Sequence, residues 1–160
     1  MRADGGGPHP FLRMPVPWVF AGAYLAGAAV QLLVPVSVGA EALSLAIRAA
    51  GVLSLALGVA LAAWAQWIFR RERTTTDPNG TSSSLVTWGP YRFSRNPMYV
   101  GLFLFFIGLS GAFAQVWSVA GLLFVFYYLS RVVIPFEESQ LRRTFGESYG
   151  RYCKMVRRWV

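Results

Sequence analysis

The chain has 160 residues, 55% of them hydrophobic and 14% charged, with a net charge of +8, one cysteine and one histidine. That is room for one domain, and too apolar a composition for an ordinary soluble one. A lone cysteine excludes an internal disulfide, and no spacing of Cys and His supports a metal site.

Residues 1–15 are rich in Gly and Pro and read as a flexible leader to a single domain over 16–160; His9 lies in that leader and is a poor candidate for catalysis. Apolar residues then gather into runs. Trp18 to Pro35 carries no charge, Ala49 to Phe69 is twenty-one uncharged residues, and Pro97 to Ser130 is thirty-four, divided only around Ser110-Gly111. A hydrocarbon core takes about twenty helical residues to cross. The expected fold is therefore an all-α integral membrane protein with about four spans, near 16–36, 44–69, 97–112 and 115–134, and a C-terminal amphipathic interfacial helix. Small residues at Ala21, Gly22, Ala26, Gly27 and Ala29, and again at Gly51, Ala56, Gly58, Ala60 and Ala62, suit close helix packing.

The charge is distributed by side. Arg70, Arg71, Arg73, Arg92 and Arg95 lie between spans two and three; Arg142, Arg143, Arg151, Lys154, Arg157 and Arg158 follow span four. Four spans put all of them, with Arg2 and Arg13, on one face, so both termini are expected in the cytoplasm and nucleic acid is not an expected partner. The basic residues would meet anionic headgroups instead. Val38-Gly39-Ala40 looks like a cleavage site, but losing span one would drive one Arg-rich segment outward. The stretch from Arg70 to Thr87 carries turn signals and reads as a solvated loop; its Asn79-Gly80-Thr81 sequon has no meaning on a cytoplasmic face.

Asn96-Pro97 is a good helix start, Asn as N-cap and Pro as first helical residue. That start leaves N–H groups and a positive dipole end where an anion could bind, and the Asn96 amide could serve an adenine edge. Glu137 and Glu138, just after Pro135, suit the first turn of a helix. They point about 100° apart, so one can face a pocket while the other pairs with an Arg. Arg131, in the last turns of span four, either snorkels to headgroups or anchors a substrate. Tyr91 and Tyr99 are interfacial or pocket-lining. Beyond Pro135, Leu141, Phe145, Tyr149, Tyr152 and Val156 recur at steps of three and four, the pattern of a helix lying on the membrane, with a bend expected at Gly146 and Gly150. Arg157-Arg158-Trp159 reads as an interfacial end.

The order Leu85-Val86-Thr87, Gly89-Pro90-Tyr91, Arg95-Asn96-Pro97, Tyr99, Gly101, an apolar hairpin, Glu137-Glu138 and Phe145-Gly146 with Tyr149 resembles the catalytic core of the isoprenylcysteine carboxyl methyltransferase family, over nearly half the chain. The resemblance implies a membrane-embedded methyltransferase of bacterial type, with S-adenosylmethionine as cofactor, a lipophilic or lipid acceptor, and a cofactor core over about 83–160. The implied cofactor contacts are Ser83, Ser84, Leu85, Val86, Tyr91, Asn96, Pro97, Met98, Tyr99 and Glu137, with Glu138 a further addition. Asn96 stands where eukaryotic members have His, and Val133 where they carry a substrate-binding Arg four residues before the equivalent of Glu137. Arg131 is the candidate for that anchoring role. A prenylcysteine carboxylate is accordingly an unexpected acceptor, and a thiol, amine, phenol or isoprenoid acid in the bacterial inner membrane an expected one. Two alternatives stand: an NADPH-dependent enzyme similar to steroid and sterol reductases, and a small lipid-binding protein without catalysis.

Overall fold

The computed structural model describes residues 15–37, 41–72 and 84–160. The leader, the Val38-Gly39-Ala40 site, the sequon and the candidate Ser83 lie outside them. Five helices are present: α1, Val16–Leu33; α2, Glu41–Arg71; α3, Pro97–Ala112; α4, Val116–Tyr128; and α5, Ile134–Met155. A short 3-10 turn, Gly89–Arg92, precedes α3, and no strand occurs among the described residues. Four apolar helices thus stand where four spans were expected. α1, α2 and the continuous helix from Val116 are long and apolar enough to cross a membrane, while α3, with 16 residues, is shorter.

Helix pairs pack antiparallel through glycines. A Cβ added to Gly51 or Gly58 of α2 would collide with backbone at Gly108 to Ala112 or Gly101 to Phe105 of α3. A Cβ on Gly108 would meet the backbone of Leu55 and lie 2.6 Å from the Gly51 carbonyl oxygen. Backbones that close give dispersion contact along the whole interface, which association in lipid relies on when the solvent is as apolar as the side chains. The Ser54 hydroxyl donates to the Leu104 carbonyl at 2.9 Å across the same interface. Gly27 plays the same part between α1 and α4, against Trp117 and Ser118, and the Ser118 hydroxyl donates to the Tyr24 carbonyl at 3.0 Å. Gly22, Ala56 and Ala60 do not join these seams: nothing lies within 4 Å of a Cβ at Gly22, and the two alanines are exposed.

The hairpin between α3 and α4 turns at Phe113 to Gln115, with Ala114 at φ 53°, while Ser110 and Gly111 remain helical. A larger departure follows span four. α5 begins at Ile134 with Pro135 and Glu137 in its first turn, but no loop separates it from span four. Leu129–Val133 forms a π-helical turn, the Ile134 N–H donates to the Leu129 carbonyl, and the helix runs on from α4 into α5. Pro135 lacks an N–H and would crowd the carbonyl of Arg131 in a regular helix; the wider turn in front of it relieves both. Gly146 supplies the expected break, with φ 50° and ψ −122°, a conformation that favours glycine; Gly150 stays helical. Beyond the break, Tyr149 and Tyr152 are buried against the protein rather than laid on the membrane, with Arg142, Arg143 and Arg151 exposed.

Gly108→Val in α3 should break the α2–α3 contact and lower the melting temperature in detergent, by about 1–3 kcal/mol of overpacking or more. Gly22→Val, whose side chain meets only open space, should leave it nearly unchanged.

Candidate functional site

Short-range sequence preference starts this region, and the tail of the chain completes it. Trp88 is extended, Gly89 takes φ 63°, and the 3-10 turn that follows presses Tyr91 flat against Phe69 of α2, ring centroids 5.1 Å apart. Val86 and Tyr91 are buried with Ala65 and Ile68, and Met98 packs against them. Pro97 is fully buried at the first position of α3.

Asn96 sits at the N-cap position, yet its side chain caps nothing. This corrects the capping expectation. Its amide donates to the Arg158 carbonyl at 2.8 Å, and the Asn96 N–H is taken by the Ser94 hydroxyl at 3.1 Å. The Arg95 N–H donates to the Arg157 carbonyl at 3.0 Å. The last residues therefore fold back along the entry to α3. The Trp159 ring packs against Phe103 and Phe126, centroids 5.8 and 5.0 Å away. Arg157-Arg158-Trp159 is thus not a free interfacial end; its backbone carbonyls bind the two residues that lead into α3.

Glu137 and Glu138 point to different partners, as their spacing requires. Glu138 is buried, and both of its oxygens are bound: Arg158 Nη2 lies 2.7 Å from Oε2 and Nε 3.1 Å from Oε1, while Arg95 Nη1 lies 3.2 Å from Oε1. Such a two-pronged guanidinium contact is the strongest geometry for holding a carboxylate out of water. Glu137 is different. Tyr99 donates to its Oε1 at 2.7 Å, and no cation pairs with it among the described residues. It lies beyond the apolar stretch that ends at Ile134. Burial pushes its carboxyl up to about 7; the Tyr99 hydrogen bond opposes this, and the neighbouring Glu138 adds to it. The folded protein then holds a proton that the unfolded chain has lost between pH 4.5 and about 7, so this group's contribution to stability falls as pH rises through that window.

Tyr91 lies within electrostatic reach of Glu137 and Tyr152, and burial holds its phenol well above the ordinary value. Its hydroxyl is buried without a hydrogen-bond partner, and so is that of Ser84. The Tyr91 carbonyl accepts from the Tyr152 hydroxyl at 2.7 Å. Orphaned buried hydroxyls are uncommon in native proteins, and the Tyr91 hydroxyl near a single-partner carboxylate fits a polar ligand. Arg131 is elsewhere: it is exposed, with its guanidinium 5.7 Å from the centre of the Tyr127 ring. Val133, which stands in place of the family arginine, is buried.

The site thus brings together Tyr91, Asn96, Tyr99, Glu137 and Glu138. Residues that sequence reasoning did not single out complete it: Arg95 and Arg158 on Glu138, Tyr152 on the Tyr91 backbone, and Cys153, whose sulfur accepts from Arg95 Nη1 at 2.6 Å. The available signal was the need of one buried carboxylate for a cation. Glu138→Ala, which leaves Arg95 and Arg158 facing each other, should cost about 3–5 kcal/mol of stability, the scale for breaking a buried ion pair. A thermal melt would read this. Glu147→Ala, removing a carboxylate that is 97% exposed in its pair with Arg151, should leave the melt unmoved.

Residues 46–148, well over half of the chain, match the model of the family described as phospholipid methyltransferase. Two rice proteins, each named probable protein-S-isoprenylcysteine O-methyltransferase, one from Oryza sativa subsp. indica and one from subsp. japonica, are 32% identical to this chain over 72 residues. Those residues are 45% of this chain and span 38% of the relatives' length. No solved structure matches. The matches agree with the all-helical membrane fold and with the resemblance carried by the motifs of residues 85–160. The chain belongs to the phospholipid methyltransferase family.

Proposed function

We propose that the protein is an integral membrane methyltransferase that takes its methyl group from S-adenosylmethionine and gives it to a lipophilic acceptor. The observation that carries this reading is the Tyr99–Glu137 pair: a half-buried carboxyl with one hydrogen bond and no cation among the described residues, beside the unpartnered Tyr91 hydroxyl. A ligand bearing positive charge and a ribose diol is what such a set accepts. Ser83, Ser84, Leu85, Val86, Tyr91, Asn96, Pro97, Met98, Tyr99 and Glu137 are the residues assigned to it. Glu138, with both oxygens committed to arginines, acts through them to fix the end of α5 against the start of α3.

When bound, S-adenosylmethionine supplies an electrophilic methyl group on a sulfonium. The residues have little acid–base work to do if the acceptor is already nucleophilic, so alignment is their main contribution. Glu137 would hold the positive end of the cofactor, Tyr99 would fix the carboxylate's direction, and the Tyr91 ring and Met98 would close the site from the side of α2. With Val133 in place of an arginine and Arg131 exposed over Tyr127, neither position offers a carboxylate acceptor a cation. A less charged acceptor, such as a thiol, amine or phenol on a lipophilic body, fits better. For the same reason Arg131→Ala should leave cofactor binding intact and change turnover little.

Ligand binding to the folded state raises stability by mass action. S-adenosylmethionine should raise the melting temperature of the detergent-purified protein, and Glu137→Gln should weaken its affinity by about tenfold or more, the loss of one charge-assisted contact. A cationic ligand selects the ionised carboxylate, so affinity should tighten as pH rises through about 7 and then level off. Glu137→Gln should flatten that profile. Stabilisation by NADPH and not by S-adenosylmethionine would refute the reading.

The basic ends of α2 and α5 lie at one rim with the start of α3, and the α1 end reaches the start of α4 at the other, where the Trp117 indole donates to the Val34 carbonyl at 2.9 Å. We assign the basic rim to the cytoplasm, in a bacterial inner membrane. In intact cells, an impermeant thiol reagent should label Ser37→Cys in a Cys153→Ser background, and should leave the native Cys153 untouched.

A further inference from the structure

A cleft of about 250 Å³ opens between α2, the 3-10 turn, the start of α3 and the end of the tail. Its walls include Leu61, Trp64, Phe93, Pro97 and Val100 and, from the returning tail, Val160, with Ser94 the one polar residue among the lining. Phe93 is 71% exposed at its mouth. Leu61, Trp64 and Arg71 fall on one stripe of α2, so the apolar cleft leads to a guanidinium about 15 Å further along the helix.

That guanidinium is held in place. Arg71 lies 5.4 Å from the centre of the Trp67 ring and 5.8 Å from that of Trp88, between two indoles. Among the described residues, no carboxylate pairs with Arg71 or with Arg92, which is exposed on the turn that walls the cleft. Arg70 is exposed beside them, and Glu72 is the adjacent acid, pointing about 100° from Arg71 on the helix. An apolar cleft with an aromatic-braced guanidinium about 10 Å beyond Trp64 along α2 is complementary to an amphiphile with one chain and one anion.

We propose that this cleft holds an anionic phospholipid of the bilayer, one acyl chain against Trp64, Phe93 and Val100 and its phosphate at Arg71 and Arg92. The lipid is a resident of the fold and not the methyl acceptor: Tyr99, which meets Glu137, and Val100, which walls the cleft, point about 100° apart on α3. The two sites adjoin at Pro97, which walls the cleft and is also among the residues assigned to the cofactor. A free phosphate gains nothing from the apolar wall, and a choline headgroup would bring a cation among three arginines.

Native mass spectrometry of the full chain in detergent, with added dioleoyl phosphatidylglycerol or dioleoyl phosphatidylcholine, tests it. One phosphatidylglycerol should stay bound per chain at higher collision energy than phosphatidylcholine. Arg71→Gln and, separately, Phe93→Ala should each weaken its retention by about tenfold, the scale of one charge-assisted contact or one buried aromatic. Arg143→Gln, an exposed cation on α5, should not, and glycerol phosphate should not compete. Equal retention of the two lipids, equal loss with Arg143→Gln, or no loss with either cleft variant would overturn the proposal, whatever the protein methylates.

Discussion

Everything at the basic rim hangs on one carboxylate. Glu138 is bound by Arg95, from the entry to α3, and by Arg158, from the returning tail, so three segments far apart in sequence meet at two oxygens. A buried carboxylate with no cation is costly, and one with two is held in a single geometry. That geometry carries consequences outward. With Arg158 fixed, its carbonyl meets the Asn96 amide, the Arg157 carbonyl meets the Arg95 N–H, and Trp159 is delivered to Phe103 and Phe126. Among the described residues, Glu137, one residue earlier, is left without a cation and turned to Tyr99. An acid bound by two arginines and an acid bound by a tyrosine are produced from two adjacent glutamates by helical pitch and the placing of those arginines.

The bundle beneath depends on a different economy of space. α2 and α3 touch backbone to backbone at Gly51, Gly58 and Gly108, and the short α3 is held there by a partner almost twice its length. Tight packing leaves the opposite faces of these helices clad in large apolar residues, Leu53, Leu57 and Trp64 among them. Those faces are ordinary for a helix in lipid and would be untenable in water. The membrane character of the chain thus follows from the packing as well as from composition.

Much of this was legible in the sequence. Long uncharged runs place four helices, Asn96-Pro97 marks the start of α3, and Gly146 marks the break in α5, because each of those signals is local. The division of labour between Glu137 and Glu138 was legible as a possibility, since adjacent helical residues diverge. Which glutamate took which part was not, because the answer lay twenty residues away in Arg158. The tail itself read as an interfacial end, since basic and aromatic residues look alike whether they face headgroups or a carboxylate and two phenyl rings. Asn96 misled for a related reason: residue type suggested a cap, and a carbonyl of the tail offered a better partner.

The π-helical turn at Leu129–Val133 accounts for the remaining gap. One extra residue accommodated in a helical turn resets the angular phase of everything after it by about 100°. A helical wheel drawn through span four and continued past Pro135 would aim Glu137 and Glu138 at the wrong neighbours. The turn acts as a phase adapter between two helices with different tasks, one presenting Leu122, Val125 and Leu129 to the apolar core and the other presenting carboxylates to Tyr99 and the arginines. Evolutionary insertion or loss of a single residue here would leave the hydropathy of the span unchanged and exchange the partners of the two acids. The length of these five residues therefore decides which acid meets Tyr99 and which meets the arginines.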